Sequence, residues 1–334
     1  MIDQGTMGVC RSGLATVGKP LAIWFTALFF TLCPVACDAL AQKSQGPDLD
    51  YAYANASPAW PQGTGPRIVF SGKNSIFVRN GSHKPFARLA REDGYQVLTR
   101  DSDIDGEMLE KADILIIINA YQQNFRDFPA MLPPSAFQDS EIDAIHAWVE
   151  RGGSLLILAD HAPLGGGTSK LASTFGFDFL NGHTVEDAAA RSGHVHVNNE
   201  FTLAAGLNAN TPVTDGSTGR EKISHFQAFG GQAFIPAPGA IALLTLPQGW
   251  SAVFTYRIEP DLNSAPRIDA SGMSQGAILD YGKGRVGVFA EAGGFTAQII
   301  SDGRRFGFNT PEGRDNPEFV LSLLRWLARF EAAR

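Results

Sequence analysis

Cysteine is almost missing from this chain: three occur in 334 residues, Cys10, Cys33 and Cys37, all near its start. From Asp38 onward there can be no disulfide, no thiolate nucleophile and no sulfur ligand for a metal. Positive charge is also in short supply. Against 34 acidic residues stand 27 Lys and Arg, a formal net charge of −7 with no basic run, and that balance argues against nucleic acid as a partner. Long apolar runs are lacking as well. The obvious one, Leu21 to Ala36, falls short of the roughly 20 residues that cross a bilayer.

That run has another reading. Arg11 and Lys19 precede it and Ala39-Leu40-Ala41 closes it before Gln42, the pattern of a secretory signal peptide over residues 1–41. The expected location is periplasmic or secreted, with no membrane span once the leader is removed. Met7 offers a second start. Cys37 after Val35-Ala36 hints at lipoprotein processing, although Pro34 stands where an aliphatic residue is wanted. The leader holds two acids (Asp3, Asp38) and two bases, so the remainder keeps the whole negative balance.

The rest has what a packed body needs: 44% hydrophobic residues and only 18% charged. Residues 42–64, rich in Pro, Gly, Ser and Ala, read as a flexible lead-in whose Tyr51, Tyr53 and Trp60 can pack on the body. One domain over 65–331 follows. Short apolar strands are expected at Arg67 to Ser71, Tyr95 to Thr99, Ala112 to Asn119 and Ser154 to Ala159. Helices are expected at Lys84 to Glu92 and Ser140 to Arg151. This alternation predicts a three-layer α/β body with a mostly parallel sheet and helices on both faces. Near 182–260 helix signals thin out, and extra strands and long loops are expected. Gly276 to Tyr281, a turn at Gly282-Lys283, Arg285 to Ala290 and a helix over Asn316 to Phe330 complete the pattern.

The stretch Gly152 to Gly167 concentrates the chemistry. Ser154 to Ala159 is apolar without alternation, as a strand covered on both faces should be, so Asp160 and His161 fall at its carboxyl end, where open α/β sheets bind ligands. Gly165, Gly166 and Gly167 are expected to form a loop approaching a ligand, with Thr168 or Ser169 capping the next helix. The loop fails the phosphate-loop pattern, because Lys170 follows the hydroxyl residues instead of preceding them. Ser169 lacks a nucleophile elbow. Neither a cofactor nor a metal is expected, although His194-x-His196, with His183, Glu186, Asp187 or Glu200 nearby, has a spacing that metal sites use.

Three motifs carry a family likeness: Ile-His-Ala-Trp-Val-Glu-Arg-Gly-Gly-Ser-Leu-Leu-Ile-Leu-Ala-Asp-His (145–161), Thr-Pro-Val-Thr-Asp-Gly (211–216) and Gly-Arg-Val-Gly-Val-Phe-Ala-Glu-Ala-Gly-Gly-Phe-Thr (284–296), with Asn316 opening the closing helix. In these the chain resembles the class I glutamine amidotransferase-like superfamily, ThuA-related and flavodoxin-like, and within it exported bacterial members of a domain family of unknown function. The resemblance implies a flavodoxin-like sheet. Amidotransferases of that group place a cysteine after the central strand and a histidine with a glutamate after a later one. Here Asp160-His161 occupies the first place and Glu291, without a neighbouring histidine, the second. Glutamine hydrolysis by a thiolate is excluded, and the fold carries over without the reaction.

Two readings of function follow. In the first, His161 is a general base, Asp160 orients it and Glu291 is an acid, in a hydrolase acting on a small polar or carbohydrate-derived substrate. Asn119, Gly165, Gly166, Thr168, His183 and Thr296 are its candidate ligand contacts. In the second, the cleft of a non-catalytic envelope module binds a sugar or peptide, Asp160 merely caps a turn and Glu291 holds backbone amides of Gly293 and Gly294. Residues alone say nothing of oligomeric state.

Overall fold

Four short apolar runs and a more polar, exposed fifth at the edge, all too brief for a buried helix, pair side by side in one sheet. A computed structural model describes residues 44–122, 133–188, 199–255 and 264–330. Along the chain come β1 (Gln45–Pro47), β2 (Arg67–Ser71), α1 (Ile76–Arg79), α2 (Lys84–Glu92), β3 (Gln96–Arg100), α3 (Gly106–Glu110) and β4 (Ile114–Ile118). Then follow α4 (Asp139–Arg151), β5 (Ser154–Leu158), α5 (Leu164–Thr174), β6 (Asp178–Phe179), β7 (His183–Glu186), β8 (Asn199–Thr202) and β9 (His225–Ala228). The remainder is β10 (Phe234–Ile235), β11 (Ile241–Thr245), β12 (Trp250–Val253), β13 (Arg267–Asp269), β14 (Ser274–Tyr281), β15 (Gly284–Phe289), β16 (Ala297–Ile300), β17 (Arg305–Gly307) and α6 (Asn316–Leu327).

The central sheet is mixed and nine-stranded. Its parallel part runs β3-β2-β4-β5-β15, and β14 adds on antiparallel, carrying β10, β6 and β11 beyond it. Gly282 and Lys283 turn β14 into β15, with Gly282 at φ +58 where a side chain would strike the backbone of Glu150. Alternate residues of the strands feed two apolar clusters. Ile68, Phe70, Ile116 and Leu156 pack with Phe86 of α2 and Phe319 of α6. Val69, Leu115, Ile117 and Ile157 pack with Ile142 and Ile145 of α4 and Leu171 of α5. In the described part of 182–260 the expected extra strands are present: β7 and β12, with β13 beyond them, form one small sheet, and β8 and β9 form another.

The lead-in is tied down where looseness was expected. β1 pairs with β16, and Trp60 packs edge-on against Tyr95 and Phe330 with ring centroids 4.7 and 5.1 Å away. Beneath it lies an ion pair taken out of water: Arg325 is 2% exposed and Asp93 not at all. Arg325 Nε donates to Asp93 Oδ2 at 2.9 Å, and the same guanidinium donates to the Ser57 carbonyl at 2.5 Å. Asp93 also accepts from Asn55 Nδ2 and the Ala59 amide, so one carboxylate joins the lead-in, the end of α2 and α6.

Another difference concerns the glycines after Leu164. They do not make a loop but lie inside the first turns of α5, whose N-cap is Pro163. Each meets a close neighbour where a Cβ would go: Gln232 at Gly165, Pro133 at Gly166 and the Ala120 carbonyl at Gly167. Thr168 and Ser169 do not cap the helix, because both hydroxyls donate back to the Gly165 carbonyl at 3.0 Å.

Removing one member of the buried ion pair strands the other. Asp93→Ala should cost about 3–5 kcal/mol in urea unfolding, whereas the double change Asp93→Leu with Arg325→Met should recover much of that loss. Equal stability of the single variant and the parent would show that the pair does not hold these segments.

Candidate functional site

The register of β5 on β15 decides what meets at the strand ends. Leu158 pairs with Phe289, and the ladder continues through the Ala159 amide to the Phe289 carbonyl at 2.9 Å. Two residues later on each strand come Asp160 and Glu291, which are therefore neighbours, and their charges act on one another. Next door, β4 is followed by Asn119, in the left-handed region at φ +45, whose Oδ1 accepts the Asp160 amide at 2.8 Å. These ends border a cavity of about 370 Å³.

Asp160 and His161 both line that cavity and are half-buried. Asp160 does not orient the imidazole, as the sequence suggested; its Oδ1 accepts the His161 backbone amide at 2.7 Å instead. The ring is held by the Ala162 carbonyl, 2.9 Å from Nδ1. A carbonyl can only accept, so Nδ1 carries a proton, and in the neutral ring Nε2 keeps the lone pair. His183, at the start of β7, stacks on this ring with centroids 4.4 Å apart and an interplanar angle of 25°. It is 2% exposed, and its Nε2 has no protein partner among the described residues. Burial, reinforced by His161, holds the His183 imidazole down to about 3.

Glu291 stands behind the wall, not in it. It is 1% exposed, and the Gly294 amide donates to both its oxygens at 2.9 Å while the Phe229 amide donates to Oε1 at 3.2 Å. Burial first and the Asp160 charge second push its carboxyl up to about 8, against the pull of those amides. A catalytic acid touching substrate is therefore the wrong role for it; it braces the turn that follows β15.

Thr296 borders the cavity with its hydroxyl donated to the Ser82 carbonyl at 2.6 Å. Gly165, Gly166 and Thr168 are corrected: they pack α5 against its neighbours and stay out of the wall, to which α5 contributes Leu164. His194 and His196 lie outside the described residues, and no group of three His, Cys, Asp or Glu able to hold a metal occurs among the described ones.

Several residues of the site went unread in the sequence. His83, just before α2, borders this cavity and also an outer groove of about 770 Å³ lined by Arg79, Lys84, Arg88 and Arg91. Its Nε2 meets the Thr99 hydroxyl at 3.1 Å, the ring lies against the Phe77 and Val78 backbone, and burial with help from Lys84 lowers it to about 4. Gln232 is fully buried and donates to the Ala159 and Asp160 carbonyls at 3.0 and 2.8 Å, fixing the end of β5 from across the sheet. The paired glycines before it, Gly230 and Gly231 at φ +122 and +107, were the available signal.

These shifts set a pH profile. His83 and His183 refuse protons that the unfolded chain takes up near 6.5, so their contribution is present above that pH and is lost as pH falls. Glu291 holds a proton that the unfolded chain releases near 4.5, so its contribution is present at low pH and is lost as pH rises through about 8. Thermal stability should therefore peak near about pH 6.5. Glu291→Gln should flatten the decline above the peak, and an undiminished decline in melting scans of that variant would refute the assignment.

No protein-family model matches the chain, and no curated protein matches it in sequence. Its fold is similar to that of the mmIFT52 N-terminal domain, at 14% identity and a TM-score of 0.51, over 80% of this chain and 100% of that one. Structural neighbours also include two putative ThuA-like proteins. One, from Bacteroides uniformis, is 14% identical with a TM-score of 0.42, covering 83% of this chain and 94% of its own. The other, from Parabacteroides merdae, is 12% identical with a TM-score of 0.45, covering 81% and 92%.

Proposed function

We propose that this chain is an exported hydrolase of the amidotransferase-like group that has no catalytic cysteine and acts on a small polar or carbohydrate-derived molecule. The strand order β3-β2-β4-β5-β15 supports a flavodoxin-like, three-layer body, being the 2-1-3-4-5 order of such sheets. One observation carries the reaction: the Ala162 carbonyl pins the His161 Nδ1 proton, leaving Nε2 basic at the edge of a cavity set at the ends of parallel strands. His161 would take a proton from an attacking water and return it to the leaving group. Asp160 holds the turn that presents the ring, and Glu291 the facing turn.

A second reading, a non-catalytic sugar- or peptide-binding module of the envelope, is favoured by the engagement of Glu291 with the Gly294 and Phe229 amides, which leaves Asp160 without a second acid in the wall among the described residues. No helix among the described residues is long and apolar enough to cross a membrane.

An esterase, amidase and glycosidase screen separates the two. His161→Ala should lower kcat by roughly 10²–10⁴ with circular dichroism unchanged. An unaltered rate refutes the base, and ligand-induced thermal stabilisation without product favours the binding module. For export, the product of a Gram-negative host should begin at Gln42, and a retained leader speaks against it.

A further inference from the structure

The wall of the cavity is chemically lopsided. Among the described residues it contains no Lys and no Arg, while Asp160 contributes a carboxylate and Glu291 lies directly behind Ala292 and Gly293. Lys84 and Arg91 act on His83 from the outer groove, but neither reaches this wall.

Its imidazoles are acceptors. His161 spends its Nδ1 proton on the Ala162 carbonyl. His183 hydrogen-bonds the backbone of Thr255 and keeps a buried Nε2 that nothing in the described protein satisfies. A ring nitrogen so placed calls for a donor from outside. Two stacked rings, 4.4 Å apart, cannot both be charged cheaply, so at least one of them keeps its lone pair. Around them stand Phe77, Phe229, Phe295 and Phe306, whose ring faces carry partial negative charge.

We infer that the group recognised in this cavity is an organic ammonium, the protonated amine of a small molecule, with the His183 Nε2 and Asp160 accepting its protons, the His161 Nε2 left for the water, and the phenylalanines covering its carbon body. This rests on the reading of the cavity as the ligand site and names the class of ligand it takes. The N–H donors of one cation match the His183 lone pair and the Asp160 carboxylate, and aromatic faces attract cations. An anion would meet Asp160 with no compensating base, and a neutral hydroxyl would leave the carboxylate without its counter-charge.

The test compares cyclohexylamine, cyclohexanol and cyclohexanecarboxylate, one ring with three head groups, by calorimetry at neutral pH on the chain from Gln42. The amine should bind, the alcohol about tenfold or more weakly, the carboxylate not at all. Asp160→Asn should weaken the amine about 10- to 100-fold and leave the alcohol unchanged. His183→Leu, which removes an acceptor without removing a protein hydrogen bond of its Nε2, should weaken the amine about tenfold. Equal affinity for amine and alcohol, binding of the carboxylate, no binding by any of the three, or indifference to Asp160→Asn each overturns the proposal. Amine binding without turnover in the hydrolase screen sinks only the catalytic reading, and turnover on substrates without an amine sinks only this one.

Discussion

Backbone pairing of Leu158 with Phe289 is the contact on which the site depends. Each strand leaves the sheet two residues further on, and the two departures deliver Asp160 and Glu291 to one place. A slip of one residue would exchange the faces of β5 and send Asp160 elsewhere. Apolar pattern alone does not protect the register, because Leu155 and Ile157 fill one cluster and Leu156 and Leu158 the other; the bonds at the strand's two ends, Ser154 Oγ to the Leu327 carbonyl and the Asp160 amide to Asn119 Oδ1, hold it in place.

Beyond the ladder, the strand ends are held by buried side-chain amides. Gln232 reaches the last carbonyls of β5; Gln275 joins Thr184 Oγ1 to the Gly230 and Gln232 carbonyls; Asn316 takes the Gln227 amide and returns its own N–H groups to the Gln227 and Gly294 carbonyls. Each bond is modest, about 1 kcal/mol, yet an unpaired buried carbonyl costs more than that, so these amides stabilise one arrangement of loops over its alternatives. Glu291 belongs to the same class. Its carboxyl does for the Phe229 and Gly294 amides what Gln232 does for carbonyls.

What could be read in the chain beforehand was what depends on period and neighbours along the sequence. The strands at Arg67, Ala112, Ser154 and Arg285 and the helices at Lys84 and Ser140 announced themselves by runs and spacing, and Asp160, His161 and Asn119 followed as strand-end residues. What failed was the meaning of three glycines, since a loop and a tightly packed helix both want glycine and only the contacts with Gln232, Pro133 and Ala120 tell them apart. Glu291 was correctly set at a strand end, but its burial depends on Phe229, 62 positions away. His83 and Gln232 were invisible for the same reason: their importance lies in what folds against them.

Among the described residues, His83 alone borders both the inner cavity and the outer groove that Arg79, Arg88 and Arg91 line. One imidazole is thus a partition between an acidic, aromatic chamber and a guanidinium-lined vestibule. A change at that one side chain would therefore alter the walls of both spaces at once.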